Sequence, residues 1–184
     1  MTIGSKKNRM IKRILHVSAL LMVLLLNLTS CHRKVEMPIT TGKIENRIFD
    51  KANLLSEEQE KNIFGLIKNL EENIGSQIAV VTLDTLNGED INQYSFRMFE
   101  KLALGRTKYR DGILITVAYH DRKMRIEVGY GLERIIKDEI ASRIIREEMK
   151  PKFKEQKVYE GLYGAVSAIK KLIEENRKLV GQMP

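Results

Sequence analysis

The period of apolar positions changes along the chain, and each change marks an element. Ser56-Glu-Glu-Gln59 has the form of a capping box, in which a Ser and a Gln side chain each satisfy a free backbone N–H at a helix start. Ile63, Phe64, Leu66, Ile67, Leu70 and Ile74 then recur at helical spacing, and Gly75 stops the helix. Gln77-Ile-Ala-Val-Val-Thr-Leu83 is a short apolar run of β-formers, as expected of a strand covered on both faces. A second helix follows Asn87-Gly88, with Ile91, Tyr94, Met98, Phe99 and Leu102 on one face, and a basic polar loop covers 105–112. Ile113 to Tyr119 is another buried strand, His120 to Lys123 a turn, and Met124 to Val128 a returning strand. That four-residue connection predicts an antiparallel hairpin. The spacing predicts a helix over 138–149, turned inward by Ile140, Ile144, Ile145 and Met149 and ended at Pro151. A last helix over 158–179 buries Tyr159, Leu162, Tyr163, Val166, Ile169 and Ile173, with Gly161 and Gly164 allowing close packing. The order α, β, α, β, β, α, α predicts an α/β fold: a three-layer α/β/α sandwich with a small mixed sheet containing an antiparallel hairpin.

The first 42 residues show none of these periods. Residues 1–13 carry five basic residues and no acid, and Ile14 to Leu28 is apolar apart from His16, Ser18 and Asn27. A basic start before a short apolar core reads as a secretory signal, short of the roughly 20 residues of a span. It ends in Leu28-Thr-Ser-Cys31, which resembles the lipobox of bacterial lipoproteins. That resemblance implies cleavage before Cys31 and acylation of its side chain; an uncleaved anchor is the alternative. The expected organisation is a signal peptide over 1–30, a tether over 31–42 containing Pro38 and Gly42, a folded domain over 43–177 and a tail over 178–184. The expected location is the bacterial cell envelope, lipid-anchored on the outer side of the cytoplasmic membrane or in the outer membrane. The expected partners are membrane lipid and an envelope protein.

Removing the signal changes the charge. The formal +8 falls to 27 Lys and Arg against 24 Asp and Glu, so the pI of 9.5 overstates how basic the mature chain is. No basic stripe with interleaved aromatics occurs, and there is no Trp, which argues against nucleic-acid binding. His32-Arg33-Lys34, next to the lipid site, suits anionic headgroups.

Several chemistries are excluded by residue type. Gly129-Tyr-Gly131 offers two glycines after a hairpin strand. A dinucleotide loop needs a third glycine and the first strand of a βαβ unit, so these glycines are expected to provide positive φ in a turn. Cys31 is the only cysteine, so there is no intrachain disulfide. The mature chain keeps only His32 and His120, too few ligands for a His/Cys zinc site. Carboxylates remain. Hard cations such as Ca²⁺ or Mg²⁺ take oxygen ligands in irregular geometry. Asp50 before the first helix, Asp111 before the central strand, Glu133 after Gly-Tyr-Gly and Asp138 at a helix start are candidate metal ligands. Each also has a structural reading: Asp138 as an N-cap, Asp50 and Asp121 as turn residues that bond their own backbone. Lys108, Arg110 and Arg125 are candidate anion-binding groups.

Taken in order, Ile48-Phe-Asp50-Lys-Ala-Asn-Leu-Leu-Ser56, Gly75-Ser-Gln-Ile-Ala-Val-Val81, Arg110-Asp-Gly112-Ile-Leu-Ile115, Asp121-Arg122, Arg125-Ile-Glu-Val-Gly-Tyr-Gly-Leu-Glu133 and Lys137-Asp138 resemble a TPM domain over roughly 43–175. The resemblance implies a compact α/β/α domain exported across, or held at, a membrane. Calcium binding and acid-phosphatase activity are attributed to some members. Where the family commonly has Asp-Asn-Gly, this chain has Arg110-Asp111-Gly112, so Arg110 is not a candidate ligand. Two readings stay open. One is a calcium-binding module acting in the assembly or maintenance of envelope proteins. The other is a metal-dependent phosphatase for phosphomonoesters, whose catalytic residues the sequence does not single out.

Overall fold

Ile48, Phe49 and Asp50 form a strand, β1, that the apolar pattern did not predict, because three residues are too few to show a period. The structure, a computed structural model, describes residues 47–182; Cys31, the signal segment and the tether lie outside the described residues. The chain continues through α1 (Glu57–Asn73), β2 (Gln77–Leu83), α2 (Ile91–Lys101), β3 (Gly112–Ala118) and β4 (Lys123–Val128). It ends in α3 (Asp138–Ile144), α4 (Lys150–Lys154) and α5 (Val158–Glu175).

The local signals act as their chemistry requires. Ser56 accepts from Gln59 N while Gln59 reaches back to Ser56 N, so the capping box is complete. Gly75 follows the end of α1 at φ 96°, a left-handed conformation that a residue with a Cβ adopts only at a cost. Pro151 does not end the helical stretch. Residues 145–149 wind as one π turn, and the chain passes directly from it into α4, which contains Pro151 near its start. Asp138 is not an N-cap: Lys137 holds that position, and no side chain bonds across it.

The sheet order is β1-β2-β3-β4. The first three strands are parallel, and β4 pairs antiparallel with β3 as the hairpin predicts. Side chains alternate across the sheet. Ile78, Val80, Ile113, Ile115, Val117 and Ile126 pack in one core with Ile63, Ile67 and Leu70 of α1 and Leu162, Val166, Ile169 and Ile173 of α5. The opposite parity faces α2: buried Ser95 and Thr116 share a hydrogen bond of 3.0 Å there, and Tyr94 and Met98 are buried. The two crossovers therefore wrap the sheet from opposite sides, and the layers are α/β/α. No helix among the described residues is long and apolar enough to cross a membrane.

Candidate functional site

Three parallel strands give the sheet two distinct edges. At the amino edge the strands begin, near Ser76 and Asp111; at the carboxyl edge they end, near Asp50, Thr82 and His120. Asp50 pairs with Thr82, and Asp111 precedes the Gly112–Gln77 pair. About six residues of strand, roughly 20 Å, therefore separate these two carboxylates. Asp50 therefore lies at the opposite end of the sheet from Asp111 and cannot share a site with it. Among the described residues no group of three or more His, Cys, Asp or Glu is arranged to hold a metal ion.

Asp111 and Asp50 both accept hydrogen bonds from within the protein. Asp111 is fully buried: Oδ1 accepts from Arg106 N (2.9 Å), and Oδ2 accepts from Arg106 Nε (3.0 Å), Arg106 Nη2 (2.6 Å) and Ser76 Oγ (3.1 Å). Asp50 Oδ1 accepts from Thr82 Oγ1 and Oδ2 from Leu55 N (2.8 Å), so its bonds reach the neighbouring strand as well as its own turn. Burial, and then the charge of Asp50, push the Glu60 carboxyl above its ordinary range. Asp121 likewise bonds outside its hairpin, accepting from Thr85 Oγ1 (3.2 Å) and Leu86 N (2.6 Å). These acids are joints between strands and loops. Their hydrogen bonds within the protein occupy part of the lone-pair capacity that a hard cation would need.

The candidate anion-binding residues also divide. Lys108 and Arg110 stand at the amino edge beside Tyr109 and Tyr130. Arg125 lies on β4 opposite Thr116, and its Nε donates to Glu127 at 3.1 Å. The Gly-Tyr-Gly turn has a different logic from the one predicted. Gly129 has φ −71°, and Gly131 is not among the positive-φ residues. Both glycines are needed for close approach: a Cβ on Gly129 would strike the Arg110 carbonyl oxygen, and one on Gly131 the Tyr109 carbonyl oxygen.

A concavity lies at the other edge. A pocket of about 640 Å³ opens beneath the end of the β3–β4 hairpin and is roofed by α4. Val117, Ala118, Tyr119, Met124 and Phe153 supply its apolar wall. His120, Arg122, Lys150 and Lys154, with Gln156, supply its polar groups, and no lining residue is acidic. Arg122, Lys150 and Lys154 take part in none of the ion pairs of the described residues, whereas Arg47, Arg97, Arg106 and Arg125 are each held by a carboxylate. Arg122 (φ 53°) and Gln156 (φ 60°) are both left-handed, a strain of about 1–3 kcal/mol each that tends to collect at functional sites. The sequence signals for this pocket were the basic runs His120-Asp-Arg-Lys123 and Lys150-Pro-Lys-Phe-Lys154. Only the fold shows that they face one another.

Known proteins bear on this geometry. A family model described as the TPM domain matches residues 48–172. The N-terminal domain of a protein from P.gingivalis is 29% identical with a TM-score of 0.67, over 72% of this chain and 85% of that one. The BA42 protein of the psychrophilic bacterium Bizionia argentinensis is 25% identical with a TM-score of 0.57, over 66% and 82%. The N-terminal domain of the cg2496 protein from Corynebacterium glutamicum, 12% identical with a TM-score of 0.57 over 73% and 84%, shares the fold. No curated protein matches the chain.

Proposed function

The chain belongs to the TPM-domain family, and from that premise we propose that it is an envelope lipoprotein whose domain captures organic anions, phosphomonoesters above all, in the pocket at the carboxyl edge of its sheet. The observation that carries this reading is the set of unspent charges. Arg122, Lys150 and Lys154 line one pocket with His120, without an acid among the lining residues and without an ion pair among the described residues. Cations without partners bind phosphate oxygens through charge-assisted hydrogen bonds, about twice as strong as neutral ones. The apolar wall selects a ligand with an organic body, and the volume suits a small molecule. The position agrees with the tendency of α/β sheets to bind ligands beyond the carboxyl ends of their strands. Divalent-cation binding by Asp50, Asp111, Glu133 and Asp138 is the weaker reading, because Asp50 and Asp111 already accept bonds from within the protein.

Calorimetry on the full chain in detergent, with phenyl phosphate as the probe, tests the pocket. Phenyl phosphate should bind more tightly than inorganic phosphate. The double variant Lys150→Ala, Lys154→Ala should weaken it by on the order of a hundredfold, since each charged hydrogen bond contributes about 1.5 kcal/mol or more. Unchanged affinity would end the reading. Phenol release that vanishes in the same variant would extend it to hydrolysis. For the anchor, Cys31→Ser is expected to abolish incorporation of radiolabelled palmitate; a labelled variant would refute acylation at that cysteine.

A further inference from the structure

The amino edge carries a second cationic surface of different construction. Tyr130 is 58% exposed, and the Arg110 guanidinium lies 5.8 Å from its ring centre. Lys108 Nζ lies 5.5 Å from the Tyr109 ring. Arg134 follows on the same turn and donates to Gln182 Oε1 at 3.4 Å. Lys108, Arg110 and Arg134 are exposed, and none is in an ion pair among the described residues. Arg106 differs, because Asp111 holds its charge. Arg110 keeps a left-handed φ of 49°, fixed by its N–H bond to Arg106 O (2.6 Å) and by the bond its carbonyl accepts from Gly131 N (3.0 Å). The aromatic rings and the cations are thus presented together on a braced ledge.

The chain enters the domain from this same edge. β1 runs parallel to β2 and β3, so its amino end, at Ile48, faces this edge. Arg47 is tied there through Glu71 (3.0 Å), which in turn accepts from Gln77 Nε2 (2.7 Å) at the start of β2. If the chain is attached at Cys31, the 15 residues from His32 to Asn46 join it to Arg47, at the same end of the sheet as the ledge. Such a linker has a root-mean-square reach of only about 20 Å.

We propose that the amino edge docks on the anionic lipid surface to which the N-terminal segment is attached. Tyr130 enters the headgroup layer, and Lys108, Arg110 and Arg134 face lipid phosphates. An amphipathic tyrosine ring suits the interface, and basic side chains near an anionic leaflet are drawn to it. The short linker holds the ledge at high effective concentration, so weak individual contacts suffice. Docking this edge turns the pocket at the carboxyl edge, roughly 20 Å away along the strands, toward water. The proposal depends on attachment through the N-terminal segment and not on what the pocket binds.

The chain has no tryptophan, so Tyr130→Trp places a single indole on the ledge. The full-length variant is reconstituted into phosphatidylcholine vesicles with brominated acyl chains, with and without about 30% phosphatidylglycerol, the anionic lipid supplying the surface potential. On anionic vesicles the indole should blue-shift and be quenched about twofold or more. Quenching should fall to the neutral-vesicle level when Lys108→Ala, Arg110→Ala and Arg134→Ala are added, and in about 1 M salt, where the Debye length is about 3 Å. A second variant, His120→Trp, should stay unquenched at the far edge. Equal quenching at the two positions, or none at Tyr130 while the protein stays on the vesicles, would overturn docking and leave the ledge to a soluble partner. A chain that does not float with vesicles at all would overturn the attachment as well.

Discussion

Asp111→Ala is expected to destabilise the domain by about 3 kcal/mol, a large share of the margin of a domain this size, and to do so equally with and without millimolar Ca²⁺. The carboxylate is fully buried and accepts four bonds that lock the 105–111 loop against the start of β2. Its removal leaves the Arg106 guanidinium, side chain 35% exposed, facing a partly dry cavity without a counter-charge. The partial exposure of Arg106 keeps the cost near the lower end of the range for breaking a buried pair. Asp111→Asn should cost less, because an amide oxygen can still accept from Arg106 N while its NH₂ cannot pair with the guanidinium. Thermal unfolding of the three proteins with and without Ca²⁺ separates two roles. A structural carboxylate gives a melting temperature that falls on substitution and ignores the ion. A ligand gives one that rises with Ca²⁺ only in the wild type, and that result would restore Asp111 to a metal site.

The same residue shows where sequence reasoning reached its limit. Asp111 stood out because it precedes a buried strand, and Asp50 because it precedes a helix; both positions were legible. Which end of the sheet each strand delivers was not, because that depends on β1 lying parallel beside β2. β1 is three residues long, and its pairing from Ile48 to Val80 leaves no period to read. The longer elements were legible for the opposite reason. α1 has a complete capping box and a left-handed glycine at its end, and β2 and β3 are seven-residue apolar runs with every β3 position buried. The pocket was hidden for a third reason. Lys150 and Lys154 flank Pro151, which reads as a helix stop, yet the backbone takes a π turn and starts α4 there, bringing both lysines over the β3–β4 hairpin. Charge runs were visible; their opposition across a cavity is a property of the tertiary path.

Gly131→Ala should destabilise the domain by about 3 kcal/mol or more, although it adds one methyl group. The position has no need of unusual dihedrals, so the penalty is one of space. The added Cβ would fall on the Tyr109 carbonyl oxygen, and within 3.2 Å of the Arg110 carbonyl carbon. Neither backbone atom can retreat freely. Tyr109 N and Arg110 N donate to Arg106 O, Arg106 is clamped to Asp111, and Gly131 N itself donates to Arg110 O at 3.0 Å. On the other side Gly131 O accepts from Gly181 N at 2.9 Å, and Gly181 packs on the Tyr109 ring, so the tail would be displaced too. Urea unfolding should show a lower midpoint at an unchanged slope, the signature of lost stability without a change in the surface exposed. Tyr130→Ala is the control next door. Its side chain is 58% exposed, and its loss should shift the midpoint by less than about 0.5 kcal/mol. If Gly131→Ala proved as mild as Tyr130→Ala, the amino edge would have slack, and the close approach of the Gly129-Tyr-Gly131 turn to the 106–111 loop would not be what braces the ledge.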